Sequence, residues 1–253
     1  MVTRKSRREI EKMRTAGRIV AEVLALVEAE LRPGVTTSHL DRLAERHIRS
    51  SGAVPSFKGY GHRSNPFPAS LCISIDDEVV HGIPGERTIR EGQIVSVDAG
   101  AIYDGWHGDG ARSFYVGTPS PEVAELVDTT RVAMMAGIAA AVPGANLADI
   151  SGAIEDVAAP HGYGIVRQFV GHGIGTEMHQ EPQVPNYRTG VRGMKLAPGI
   201  CLAIEPMLTL GRPEVEVRPD GWTVVTRDGS LAAHFEHTIA ITENGPEILT
   251  SIA

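Results

Sequence analysis

The sequence predicts an α+β fold: two pairs of outer helices cover an antiparallel sheet, and two related halves face each other about a pseudo-two-fold axis with a cleft along it. Three observations carry this prediction. Amphipathic helical patterns come in two successive pairs, each joined at a Pro-Gly. His-Gly-Ile occurs once in each half, and so does an apolar run that ends in a carboxylate and leads to Asp-Gly-Trp.

The first helix is predicted from Ile10, Met13, Ala16, Val20, Leu24, Val27 and Leu31, which recur at helical spacing and stop at Pro33-Gly34. The second begins at Ser38-x-x-Asp41, a candidate capping box, and continues through Leu40, Leu43, Ala44 and Ile48. The pattern returns with Val123, Leu126, Val127, Met134 and Ile138 before Pro143-Gly144, then with Leu147, Ile150, Ile154 and Val157. His-Gly-Ile follows at His81 and again at His172. Gly92-x-Ile-x-x-x-Asp98 is then echoed by Gly199-x-Cys-x-x-x-Glu205, and Asp104-Gly105-Trp106 by Asp220-Gly221-Trp222. The offsets agree, 143 − 33 = 110 and 205 − 98 = 107. A single domain of residues 1–253, built from halves of about 1–118 and 119–253, is the expectation.

Composition narrows the function. The chain has 253 residues, 42% of them hydrophobic, enough for a sizeable core. A net charge of −7 gives no electrostatic footprint for nucleic acid. The basic cluster Arg4-Lys5 with Arg7-Arg8 runs into Glu9 and Glu11 without an apolar stretch, so it reads as a solvated helix start rather than a secretion signal. No segment approaches the ~18–20 apolar residues of a membrane span. Cys72 and Cys201 are the only cysteines, too few for a disulfide framework or a Cys-x-x-Cys zinc module, and a cytoplasmic enzyme is expected.

The chemistry gathers in Ser96–Phe114, SVDAGAIYDGWHGDGARSF. Asp98 ends an apolar, β-branched run, where an unpaired carboxylate is costly and calls for protonation, a basic partner or a metal. Asp104-Gly105 suits a hairpin turn, which accounts for Asp104. Asp98 and Asp109 flank that turn, 109 − 98 = 11 residues apart, so the hairpin folds them toward each other. A metal, a strained turn and a structural ion pair all remain open from this stretch alone. The second half adds Glu205 after Ile-Cys-Leu-Ala-Ile, Glu236 within a strand-like His-Phe-Glu-His-Thr-Ile-Ala-Ile, and His172 in a glycine-rich segment. Together Asp98, Asp109, His172, Glu205 and Glu236 form an oxygen-rich set with one nitrogen. Such a set suits paired divalent ions of Mn, Fe, Co or Zn, the equipment of a two-metal hydrolase.

The five residues in this order, with Val80-His-Gly-Ile-Pro, Asp104-Gly-Trp-His-Gly-Asp, Gly171-His-Gly-Ile-Gly and Glu205-Pro-Met around them, resemble the type I methionine aminopeptidases over nearly the whole chain. The resemblance implies the pita-bread fold, two divalent metals, and removal of the initiator methionine from nascent polypeptides whose second residue is small. It implies that Asp98 chelates one metal, that Asp109 and Glu236 bridge both, and that His172 and Glu205 complete the other site. Glu205 would also carry the proton of the attacking water. His81 and His179 would contact the scissile amide and the tetrahedral intermediate. Tyr60, Phe67, Cys72 and Trp222 would line the methionine pocket, with Met178 at a place where the family usually has an aromatic ring. The segment Gly61 to Pro66 is longer than in the typical bacterial member. A monomer acting at the ribosome is the expectation that follows. The rivals are a proline-directed aminopeptidase or prolidase of the same fold and a non-catalytic module that has lost its metals. The first generally carries an extra N-terminal domain, whereas here about 80 residues precede His81. All five ligands and both histidines are present, which disfavours the second.

Overall fold

The computed structural model describes residues 2–252. Helix α1 (Arg7–Glu30) starts at Ser6, whose hydroxyl accepts from Glu9 N while the Glu9 carboxylate accepts from Ser6 N, a reciprocal cap. Its buried face is the predicted one, from Ile10 through Val27. Helix α2 (Thr37–Ser50) corrects its predicted start. The cap is Thr36, accepting from His39 N, and Asp41 instead accepts from the backbone N–H groups of Ser70 and Leu71. The spacing Ser-x-x-Asp satisfied the capping pattern, but the carboxylate is used to pin the loop before the strand Leu71–Ile75. Helices α3 (Pro121–Ala140) and α4 (Leu147–Ala158) repeat the arrangement.

The basic N-terminal cluster is not wholly solvated. Arg4 Nε donates to Pro198 O, and Lys5 is buried, its ammonium facing Thr3 O and Gln180 Oε1.

Nine strands form the main sheet. Its order is Val54–Pro55, Ile94–Tyr103, Trp106–Tyr115, Glu236–Thr242, Cys201–Ile204, Gly171–Gly173 and Gln180–Val184; Leu71–Ile75 also pairs with Ile94–Tyr103, and Gly245–Ile248 with Glu236–Thr242. Every pairing is antiparallel. Asp104 and Gly105, with φ of 48° and 81°, make the two-residue turn predicted for them. Asp98 lies in mid-strand rather than at a strand end, because pairing with Leu71–Ile75 and Trp106–Tyr115 carries Ile94–Tyr103 on to the turn.

The pseudo-two-fold shows in the hydrogen bonds. Gly34 N donates to Ile89 O at 2.9 Å and Gly144 N to Leu196 O at 2.9 Å, offsets of 144 − 34 = 110 and 196 − 89 = 107. The isolated bridge Thr36↔Thr88 recurs as Asn146↔Lys195, and Gly92 N→Val116 O recurs as Gly199 N→Ile241 O. The repeat stops at the Asp-Gly-Trp echo. Asp104-Gly105 is a hairpin turn of the main sheet, whereas Asp220–Trp222 lies between Val215–Val217 and Val224–Thr226, strands of a small separate sheet completed by Glu78–Val80. Residues 205–235 form an excursion with no counterpart in the first half; another of its strands, Met207–Thr209, pairs with Ala232–His234 and Gly164–Ile165.

Where the two strand systems meet, the ladder between Trp106–Tyr115 and Glu236–Thr242 holds two residue pairs, Glu236↔Ala111 and His237↔Gly110. Thr238 reinforces the seam: its hydroxyl donates to Asp109 O at 2.7 Å and accepts from Asp109 N at 3.0 Å. On the outside, α1 lies directly on the first hairpin. A methyl on Gly108 would come within 2.6 Å of Gly17 N, and one on Gly17 would strike Leu249 O. The absence of side chains at this crossing lets helix and strand backbones touch.

Candidate metal centre and active site

Sheet register explains why residues so distant in sequence meet. Side chains alternate between the faces of a strand, and residues opposite one another share a face. Cys72 pairs with Asp98, Asp98 with Ala111, and Ala111 with Glu236. Asp109 stands two residues from Ala111 on the same face. Thr238 pairs with Ala203 and Ala203 with His172, and Glu205 follows two residues after Ala203. All five predicted ligands therefore project from one face, with alanines at 111 and 203 leaving the room between them.

They line a cavity of about 680 Å³. Its walls include every residue singled out from the sequence: Asp98, Asp109, His172, Glu205, Glu236, His81, His179, Tyr60, Phe67, Cys72, Met178 and Trp222. Donor atoms of Asp109, His172 and Glu236 lie within 4.8 Å of one another, close enough to share one ion. His172 Nε2 is 3.3 Å from Glu205 Oε1, and its Nδ1 lies 3.0 Å from Gly173 O, a contact that would fix the ring with Nε2 free to bind.

The electrostatics ask for a cation. Asp98 Oδ1, Asp109 Oδ1 and Glu236 Oε1 are buried with no hydrogen-bond partner. No lysine or arginine lines the cavity among the described residues. Burial raises the Asp98 pKa to about 7, and burial followed by repulsion from neighbouring carboxylates holds Asp109, Glu205 and Glu236 well above the usual carboxylate range. Burial likewise lowers His172 to about 3. Neutral imidazole and crowded, unpaired carboxylates are the donor set of a divalent cation, which would compensate what the protein leaves unpaired. The residues fit the metal.

Beside the carboxylates the cavity becomes apolar. Phe57, Phe67, Ala69, Cys72 and Met178 are buried in one cluster, with Ile83 and Trp222 packed against it. The Phe67 ring meets Phe57 and Trp222 edge-on at 6.5 and 5.2 Å. Tyr60 lines the cavity outside this buried cluster. It stands at the mouth, 39% exposed, with its hydroxyl 2.6 Å from His179 Nδ1. His81 occupies the left-handed region at φ 60°, a conformation costing of order 1 kcal/mol that a histidine adopts only when held. Phe169 and Trp222 face its ring edge-on at 5.5 and 6.4 Å, and burial lowers its pKa to about 4.

Phe57, Phe169 and His234 are among the cavity residues that escaped the sequence reading. Phe57 and Phe169 lie in loops without periodicity, so nothing marked them. His234 is buried with Nε2 unpartnered, 3.9 Å from Glu205 Oε2. Its spacing of two from Glu236 was the available signal.

Comparison with known proteins agrees with this geometry. The model of metallopeptidase family M24 matches residues 11–243. A methionine aminopeptidase from Clostridium acetobutylicum is 53% identical over 251 residues, covering 99% of each chain. The crystal structure of methionine aminopeptidase from Thermotoga maritima superimposes with a TM-score of 0.96 at 44% identity, covering 100% of both chains. A Xaa-Pro dipeptidase from Bacillus anthracis shares the fold alone: it is 23% identical with a TM-score of 0.79, and the chain spans 62% of it. Fold, metal-ready carboxylates and full-length likeness converge: this chain belongs to metallopeptidase family M24, among its methionine aminopeptidases.

Proposed function

We propose that the chain removes the initiator methionine from nascent polypeptides and peptides with a small second residue, as a monomer in the cytoplasm and at the ribosome, using two divalent ions drawn from Co, Mn, Fe or Zn. Residues 1–253 act as one catalytic domain whose halves, about 1–118 and 119–253, contribute ligands to a shared site. The observation that carries this reading is the joining, in one cavity, of the carboxylate cluster and the apolar pocket of Phe57, Phe67, Cys72, Met178 and Trp222. Such a pocket takes a flexible thioether and rejects a charge, which would be desolvated there without compensation.

Asp98, Asp109, His172, Glu205 and Glu236 would hold the ions, with Asp109 and Glu236 shared between the two sites, Asp98 completing one and His172 with Glu205 the other. When bound, the ions would supply Lewis acidity at the scissile carbonyl and lower the pKa of a water. Glu205 would accept the proton of the attacking water and pass it to the departing amine. His81 and His179 donate to the amide as charge develops. Donation from the Tyr60 hydroxyl to His179 Nδ1 would leave Nε2 carrying the hydrogen that faces the cavity. The test is a competition among peptides at matched metal loading, read by mass spectrometry. Met-Ala and Met-Gly peptides are expected to be cleaved far faster than Met-Leu, Met-Arg or Lys-Ala ones, and α-acetylation to abolish cleavage. Equal turnover of Met-Ala and Met-Arg, or preferred cleavage before proline, would overturn the reading.

A further inference from the structure

We propose that Asn65, in the extended Gly61–Pro66 segment, is a specificity-determining residue that acts through Trp222 to fix the far wall of the pocket for the first substrate side chain. The inference rests on the peptidase reading above and deepens it.

Trp222 comes from the second half, in the turn between Val215–Val217 and Val224–Thr226. That turn is folded around Asp220, whose carboxylate accepts from Trp222 N, Thr223 N and the Thr223 hydroxyl. What holds the turn over the cavity, however, comes from the first half. At one end Arg218 reaches Glu78 at 2.7 Å and Asp77 at 3.5 Å. At the other, Asn65 grips twice. Its backbone carbonyl accepts the indole Nε1–H at 3.2 Å, and its side-chain amide donates to Asp220 O at 3.0 Å. One residue thus fixes both the ring and the backbone that carries it.

The neighbours of Asn65 are shaped to the same end. A methyl on Gly61 would stand 2.5 Å from Trp222 Cη2, so the chain lies against the ring where only glycine fits, at φ +94°. Phe67 closes another side with its edge. The segment is itself folded rather than a loose flap: Phe67 N donates to Tyr60 O, Gly59 N to Phe67 O and Asn65 N to His62 O, while His62 Nδ1 and the Ser64 hydroxyl are 2.7 Å apart. Residues 61–66 therefore build a strap from one half to the other. Its buckle is Asn65. A first side chain bulkier than methionine must push the indole outward and break both contacts, whereas methionine fits with the strap closed.

The strap is exposed and contributes little to global stability, so its loss separates from unfolding. Asn65→Ala removes the amide; Asn65→Asp keeps its shape and removes its N–H donors. In metal-replete protein both are expected to raise KM for a Met-Ala peptide about 3- to 10-fold with kcat within about twofold, and to lower the preference for Met-Ala over Phe-Ala about tenfold. Metal content and Tm are expected to stay at wild-type values. With Trp106→Phe as background, Trp222 is the sole indole, and acrylamide should quench it at least about twice as efficiently once Asn65 is replaced. With Trp222→Ala as background, Asn65→Ala should leave the Met/Phe ratio unmoved, because a residue acting through another has no effect in its absence. An unchanged ratio and unchanged quenching in both Asn65 variants would overturn the proposal. So would an equal loss for every first residue through kcat with metal lost, which is the signature of a merely structural role. The quenching needs no turnover, so the strap is judged even if Met-Ala peptides prove not to be substrates, the outcome that would instead fell the peptidase reading.

Discussion

In the first half, the strands Ile94–Tyr103 and Trp106–Tyr115 carry Asp98 and Asp109 and are closed by Asp104-Gly105 alone. In the second half, Cys201–Ile204 and Glu236–Thr242 are followed by and begin with Glu205 and Glu236, yet residues 205–235 intervene. Both strand pairs present two carboxylates to one cavity. Only the second opens its connection, and from that excursion come Trp222 and His234. The repeated part of the fold holds the charge, and the unrepeated part shapes the space beside it. A tight hairpin can place ligands rigidly; it has no length left over to build a wall.

The largest effects should follow from breaking the repeated part. Asp109→Ala or Glu236→Ala is expected to weaken binding of both ions and to cost more than the ~10²–10³ lost with a single charge-stabilising donor. Metal analysis after dialysis, with peptide turnover, reads the outcome; undiminished two-ion binding in both variants would refute bridging. His179→Ala should behave differently, lowering kcat by about 10² to 10³ with metal content normal. Loss of metal there would make His179 a ligand and the five-residue set wrong.

Packing separates the halves next. Gly108→Ala would drive a methyl into the backbone of α1, and overpacking of this kind costs about 1–3 kcal/mol. Gly137→Ala on α3 meets the Ile154 and Ile150 side chains rather than backbone, and should cost less. Urea denaturation of the two variants tests the order.

The pH response concerns the charge cluster alone. Folding raises the pKa of Asp98, Asp109, Glu205 and Glu236, so their contribution to stability is fully present below the unfolded carboxylate range and is lost as pH rises through the folded values. His81, His172 and His234 are lowered to between about 3 and about 4, and they act oppositely, withdrawing stability as pH falls below about 6.5. Above that pH only the carboxylates act. The Tm of chelator-treated protein should fall as pH rises from about 6.5 to 8, around the value of about 7 for Asp98, and saturating metal should flatten the fall. A rising Tm over this window would contradict the assignment. Smallest, Thr36→Ala should cost about 1 kcal/mol by removing the α2 cap, while Ser38→Ala should cost less.

The same division decides how much the sequence disclosed. Helix faces and the Asp104-Gly105 turn follow from local periodicity and turn chemistry, so they were readable residue by residue. The candidate carboxylate ligands stood out because a carboxylate in an apolar strand conflicts with its surroundings, and that conflict needs no knowledge of the partner strand. Ser38 and Thr36 are confused because either hydroxyl can cap a helix, and the contact of Asp41 with Ser70 and Leu71 is decided by the tertiary fold. Tyr60 lines the cavity as expected, but the partner of its hydroxyl, His179, lies 119 residues away and has no local signal. Phe57 and Phe169 carry no local signal, for an aromatic residue in a loop looks the same whether it faces solvent or substrate.

The seam between the strand systems has a consequence in polymer terms. Two ladder pairs and one threonine join Trp106–Tyr115 to Glu236–Thr242. An ion held by both Asp109 and Glu236 would tie together positions 236 − 109 = 127 residues apart. Such a tie closes a loop as a disulfide would, and for loops of this length the chain-entropy treatment gives about 4–5 kcal/mol, paid by the unfolded chain only if the link persists there. A coordinate link does not persist, so the protein gains instead the binding free energy itself, growing with the logarithm of free ion concentration. The ion would then act as a reversible staple, and the resistance of the two halves to being pulled apart would be set by the metal supply of its surroundings.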